Sequence, residues 1–124
     1  MIVWTNTRLA IAWTGAQNSV WSNANNWEGT ILPTSDDDVF IPNVTNDPIV
    51  SNTQYARTMT VQTGGFVTIS AGDTLVLTGS LSNAGILLLQ NNSFLMVAGS
   101  YENTGSLTTN ASTFVFTPNF CLYV

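Results

Sequence analysis

TLVLTGSLSNAGILLLQNNS, residues 74–93, is followed directly by FLMVAGSYENTGSLTTNAS, residues 94–112, and the two lines agree column by column. Leu75 stands over Leu95, Leu77 over Val97, Gly79 over Gly99 and Ser80 over Ser100; Leu81 over Tyr101, Asn83 over Asn103, Gly85 over Gly105 and Leu87 over Leu107. The match runs backwards as well, with Val61 above Leu81, Gly65 above Gly85, Val67 above Leu87 and Ile69 above Leu89. A fixed period of 20 residues marks stacked units, each too small to bury its own apolar face.

Within a unit the apolar residues alternate, as in Leu75-x-Leu77 and Val67-x-Ile69, and Gly, Asn or Ser breaks the pattern every few residues. That is the signature of short strands joined by turns. Strands that return to the same column after one circuit lie parallel, one coil above the last. The expected fold is all-β, a short single-stranded parallel β-helix, a β-solenoid, with an aromatic N-terminal cap. It is expected to be right-handed, the usual hand of parallel crossovers. An antiparallel β-sandwich is the alternative, since it too has short strands and frequent turns.

Stacking assigns the repeated residues to columns. Leu75, Leu95 and Phe114 form one interior column, Leu77, Val97 and Phe116 a second, and Val61, Leu81 and Tyr101 a third. Each fully buried side chain contributes about 1.5–3 kcal/mol. Asn83 and Asn103 precede Gly85 and Gly105 by two residues. This spacing fits a corner at which Asn bonds the neighbouring coil and Gly supplies a positive φ; plain polar turns fit it equally.

A chain of 124 residues is one domain by size and can bury a modest core. It divides into a leader-like segment (1–12), a Trp- and Asp-rich cap with the first coil (13–57), β-helix repeats (58–117) and an irregular tail (118–124). Only 7% of residues are charged, His and Lys are absent, Arg8 and Arg57 are the cations, and the net charge is −5. Nothing here would attract nucleic acid. No apolar run approaches the length of a membrane helix, so no membrane insertion is expected. Cys121 is the sole cysteine and can form no internal disulfide. Ala10-Ile11-Ala12 has the small-residue character of a signal cleavage site, but Thr5, Asn6, Thr7 and Arg8 interrupt the apolar stretch that should precede it.

The first half has another character. All four tryptophans, Trp4, Trp13, Trp21 and Trp27, fall within 27 residues, and Asp36-Asp37-Asp38-Val39-Phe40-Ile41-Pro42 follows a Pro33 turn. The succession W-T-G-A, W-x5-W, P-x3-D-D-V-x-I-P and N-D-P-I-V, then Leu-rich coils with Asn and Gly corners, resembles the repeat-containing secreted or cell-surface adhesin-like proteins of Bacteroidetes-type bacteria. The resemblance covers about residues 13 to 117. It implies parallel β-helical segments, a secreted or surface location and no assigned catalysis. Such proteins are much longer, and TPNFCLYV, residues 117–124, breaks the coil pattern, as expected of a fragment of a larger surface protein.

A solenoid needs its first coil covered, and residues 13 to 50 are placed to do this, with Trp13, Trp21 and Trp27 over the coil. The rival reading is a glycan platform formed by Trp21 and Trp27 with Asn23, Asn25 and Asn26, because an exposed indole stacks on a sugar face. Asp36, Asp37 and Asp38, helped by Asn43 or Asp47, are weak candidates for Ca²⁺, which takes several oxygen ligands. Adjacent Asp residues on a strand point to opposite faces, which favours a solvated turn instead. No other cofactor is implied.

No enzyme is expected. From residue 58 onward the acids are Asp73 and Glu102, 29 positions apart, and there is no His or Lys for base chemistry. An ice-binding face would need a Thr grid, but Thr68 and Thr74 become Leu88 and Phe94 one coil on. Alternation sends Val76, Ile86, Leu88, Phe94, Met96 and Val115 outward. Such an apolar outer face marks an interface, and self-association through it or through the open solenoid end is the expected partnership. The sequence thus points to a non-catalytic extracellular scaffold or adhesive module, with carbohydrate binding as the alternative.

Overall fold

The computed structural model describes residues 10–116. Trp4, Arg8, Cys121, Pro118 and most of the leader-like and tail segments lie outside them. Within them the alternation of Val, Ile, Leu, Thr and Phe with turn residues resolves into short strands, because β-branched and aromatic side chains fit a pleated, half-buried surface.

β1 (Ile11–Ala12) precedes the regular coils. The first coil comprises β2 (Asp38–Ile41), β3 (Ile49–Val50) and β4 (Thr53–Ala56), and the second β5 (Thr58–Val61), β6 (Phe66–Ile69) and β7 (Thr74–Leu77). The third holds β8 (Leu81–Asn83), β9 (Ile86–Leu89) and β10 (Phe94–Val97), and the fourth β11 (Tyr101–Asn103), β12 (Ser106–Thr109) and β13 (Thr113–Phe116). Corresponding strands stack into three sheets: β1-β2-β5-β8-β11, here the first face, β3-β6-β9-β12, the second, and β4-β7-β10-β13, the third. Every strand pair among them is parallel. The chain is therefore a parallel β-solenoid with coils of about 20 residues, and the sandwich is set aside.

The core is the interior of this prism. Leu75 pairs with Leu95 and Leu95 with Phe114, and Leu77 with Val97 and Val97 with Phe116, as the repeat predicts. Phe116, however, is 48% exposed and does not complete its column.

The third expected column is corrected. Met59, not Val61, stands below Leu81 and Tyr101, while Val61 faces Asn83. The corner between β5 and β6 has four residues, Gln62 to Gly65, and the corner between β8 and β9 only two, Ala84 and Gly85. Because the difference is two, the strand slides without turning its apolar side outward.

Asn83 is buried and bonds across coils. Its Nδ2 donates to Asn103 Oδ1 at 2.9 Å and to the Ser106 carbonyl at 3.0 Å, and its Oδ1 accepts from the Gly85 amide at 3.1 Å. The two asparagines form a rung between the third and fourth coils.

The glycines beside them do not have the positive φ expected. Among the coils that conformation recurs at the corner entering the third face, at Asn52 (φ 60), Gly72 (φ 80), Asn92 (φ 64) and Ala111 (φ 48), and occurs once at the other corner, at Gly64 (φ 88). Gly has no Cβ to crowd the carbonyl oxygen there and Asn offsets the crowding with local side-chain hydrogen bonds, whereas alanine carries the full cost. Ala111→Gly is expected to raise the free energy of unfolding by about 1 kcal/mol through relieved strain, read as a higher urea midpoint.

Gly65, Gly85 and Gly105 are required for a different reason. A Cβ at Gly85 would collide with the Gly65 carbonyl oxygen, and one at Gly105 with the Gly85 carbonyl oxygen. The corners stack too closely for any side chain.

Candidate functional site

Residues ahead of β2 form an incomplete coil. β1 pairs with β2 through Ile11 and Val39, and Val20 bridges Ile49 on the second face. A short 3-10 turn, Ala24–Asn26, lies between Trp21 and Trp27, and a second, Glu28–Thr30, follows Trp27 on the way to β2. Trp13, Trp21 and Trp27 are all buried, at 1%, 0% and 2% exposure. Trp27 packs edge-on against both others, with centroids 5.1 Å from Trp13 and 4.7 Å from Trp21. Trp27 Nε1 donates to the Trp21 carbonyl at 2.7 Å and Trp13 Nε1 to the Asn46 carbonyl at 2.6 Å. This is a buried aromatic core of the kind that edge-to-face pairs stabilise, although Trp21 Nε1 is buried without a hydrogen-bond partner among the described residues.

Burial corrects the glycan platform. Trp21 and Trp27 have no free ring face on which a sugar could stack. Asn26 is likewise buried and is spent inside the fold. Its Oδ1 accepts from the Gln17 and Asn18 amides at 2.8 and 2.9 Å, and its Nδ2 donates to Asn18 Oδ1 at 2.7 Å and the Val20 carbonyl at 3.0 Å. Asn23 caps the first 3-10 turn, accepting from the Asn25 amide at 3.0 Å, and its Nδ2 donates to Gln17 Oε1 at 2.9 Å. Asn25 alone of the five is exposed.

The three consecutive aspartates go separate ways, which corrects the idea of a shared Ca²⁺ loop. Asp36 is exposed. Asp37 is buried, and its Oδ2 accepts from the Thr34 amide at 2.9 Å and the Thr34 hydroxyl at 3.0 Å, closing the turn after Pro33. Asp38 is held by Arg57, with Nε to Oδ1 at 2.8 Å and Nη2 to Oδ2 at 2.6 Å, and by the Thr58 hydroxyl at 2.8 Å. Among the described residues no group of three or more His, Cys, Asp and Glu side chains could hold a metal ion.

Two carboxyls are shifted in opposite directions. The Arg57 hydrogen bonds hold Asp38 below the ordinary carboxylate range, so its contribution to stability is present at neutral pH and fades as the solution is acidified through its folded value. That contribution is small, because Arg57 is half exposed.

Asp47 is pushed upward by burial, and its Oδ1 is buried with no hydrogen-bond partner among the described residues. A raised folded value means the reverse sign: the acid form favours folding, and stability is lost as pH rises through that value. Asp47→Asn is expected to stabilise the protein by about 1 kcal/mol at pH 7, where it removes a poorly solvated charge. Urea unfolding at pH 3 should show the advantage gone.

The outer faces carry the remaining candidates, and the single apolar face expected is two. Ile86 and Leu88 lie on β9 of the second face; Val76, Phe94, Met96 and Val115 lie on β7, β10 and β13 of the third. The corner from Gln90 to Ser93 turns the chain between them. On the third face Tyr55, Val76, Met96 and Val115 stand in register as one outward column, beside Thr53, Thr74, Phe94 and Thr113. Tyr55 is 46% and Phe94 37% exposed. On the second face Phe66, Ile86 and Ser106 form one column, and Ile49, Thr68, Leu88 and Thr108 the other. Sequence reasoning missed Tyr55, because the repeat was read only from Thr58 onward.

Stacked coils, a buried aromatic cap and outward columns of hydroxyl and apolar side chains define a scaffold-like β-solenoid module. No helix among the described residues is long and apolar enough to cross a membrane. A family model for a domain of unknown function, DUF8693, matches residues 12–123, and the chain belongs to this family. No curated protein and no solved structure matches it.

Proposed function

We propose that this chain is a non-catalytic, extracellular adhesive scaffold module: a stiff length of solenoid that presents its outer faces at a cell surface. The observation that carries the reading is the register kept across the coils, which holds outward side chains in columns on the faces of the solenoid. A location in a larger secreted or surface protein rests on the resemblance of the Trp- and Asp-rich opening to bacterial adhesin-like chains, and on a composition rich in neutral polar residues.

Self-association belongs to the same proposal. β11, β12 and β13 are each the last strand of their sheet among the described residues, and a terminal strand can accept a further strand from a second copy. The test of location is labelling of intact producing cells with an antibody raised against the purified chain. Labelling of intact cells supports the proposal; labelling only after lysis overturns it.

A further inference from the structure

We propose that the outer third face is a binding surface for an extended neutral polysaccharide, with the rings of Tyr55 and Phe94 as its stacking contacts and the threonine column as its hydroxyl partners. The proposal rests on the adhesive reading above and names the ligand class that such a module would hold.

Charge is the first argument. β4, β7, β10 and β13 contain no Asp, Glu, Lys, Arg or His, in a chain with net charge −5. The face suits an uncharged ligand, while the acids elsewhere disfavour an anionic one.

Chemistry is the second. Tyr55 and Phe94 are exposed aromatic rings on this one face. An aromatic ring offers a flat apolar surface to the C–H face of a sugar. Thr53 and Thr113 are exposed and Thr74 half-buried in the column that contains Phe94, and a hydroxyl both donates and accepts, as sugar hydroxyls do. The second face has exposed Ile49 and Ile86 and one outward ring, Phe66, which is half-buried and has no second exposed ring beside it.

Size is the third argument, and it selects against a second copy of the chain docked on this face, as distinct from association through the strand edges. Four strands of four residues present a face of about 250 Å² from strand spacing and rise. A stable protein interface needs roughly 800 Å² from each partner. A narrow polymer needs no such area.

Register also sets the ligand's length. Tyr55 is paired with Val76, and Phe94 lies two coils on from Tyr55 in the neighbouring outward column. The two rings are roughly 12 Å apart by strand spacing and rise, too far for one sugar ring. Both are engaged only by an oligomer of several units, so affinity should rise with chain length.

The test is affinity electrophoresis of the purified chain in gels containing a neutral β-glucan, xylan or mannan, with alginate as the anionic control. Retardation by at least one neutral polymer is expected, weaker by about tenfold in Tyr55→Ala and in Phe94→Ala and abolished in the double variant. Ile86→Ser, on the second face, should bind as the parent does. Both rings are solvent-facing, so an unchanged melting temperature would show that the variants remain folded. No retardation by any neutral polymer, or retardation that survives in the folded double variant, overturns the proposal. So does sedimentation equilibrium showing a dimer that the double variant loses, since a second copy would then be the occupant. None of these outcomes bears on the surface-labelling result, so the two proposals fail separately.

Discussion

Trp27→Ala should lower the free energy of unfolding by about 3–5 kcal/mol, the cost of emptying a large aromatic site. Trp27 is the middle ring of three, touching both Trp13 and Trp21, and its indole nitrogen holds the Trp21 carbonyl. Its loss would leave two rings without their partner and a buried carbonyl without its donor. A domain of this size has a total stability of about 5–15 kcal/mol, so the variant should unfold at a much lower urea concentration. Trp27→Phe should recover part of the loss, keeping a ring but not the hydrogen bond, which is worth about 1 kcal/mol. A midpoint for Trp27→Ala equal to the parent's would mean the cluster does not cap the first coil.

Gly85→Ala is the second large effect expected, about 3 kcal/mol, at the upper end for overpacking. The added methyl would meet the backbone oxygens of Gly65 and Gln62, and backbone cannot swing aside as a side chain can. Gly72→Ala is the informative comparison. Nothing lies within 4 Å of a Cβ there, but φ is +80. Its cost is conformational alone, about 1–2 kcal/mol. If thermal unfolding ranks Gly72→Ala below Gly85→Ala in stability, close stacking of corners is not what fixes the glycine column.

These two glycines show what sequence can and cannot separate. A repeated Gly is visible as a letter, but a positive φ and a close backbone approach both select it, and only the structure distinguishes Gly72 from Gly85. The coils were legible because alternation and a 20-residue return act together, and one parallel architecture satisfies both. Column membership was less so. The extra residues in the Gln62 to Gly65 corner preserve inside and outside while shifting Val61 off Leu81, and parity carries no trace of a two-residue slide. The tryptophans were ambiguous for a physical reason: an indole is equally good as a core filler and as a sugar platform, and exposure alone decides. The outward apolar residues were identified individually, but their division between two faces depends on a corner whose angle no local pattern states.

The hydrogen bonds of the three sheets run along the solenoid axis, from each coil to the next. Tension applied along that axis loads the coils in series, like links, and the weakest inter-coil ladder yields first. A coil that peels away releases about 20 residues, or roughly 70 Å of extended chain, where it had occupied only about 5 Å of rod. A surface protein built this way would lengthen in nearly equal steps under shear, dissipating force coil by coil while the tryptophan-filled end, locked by side-chain packing as well as by strand pairing, stayed anchored.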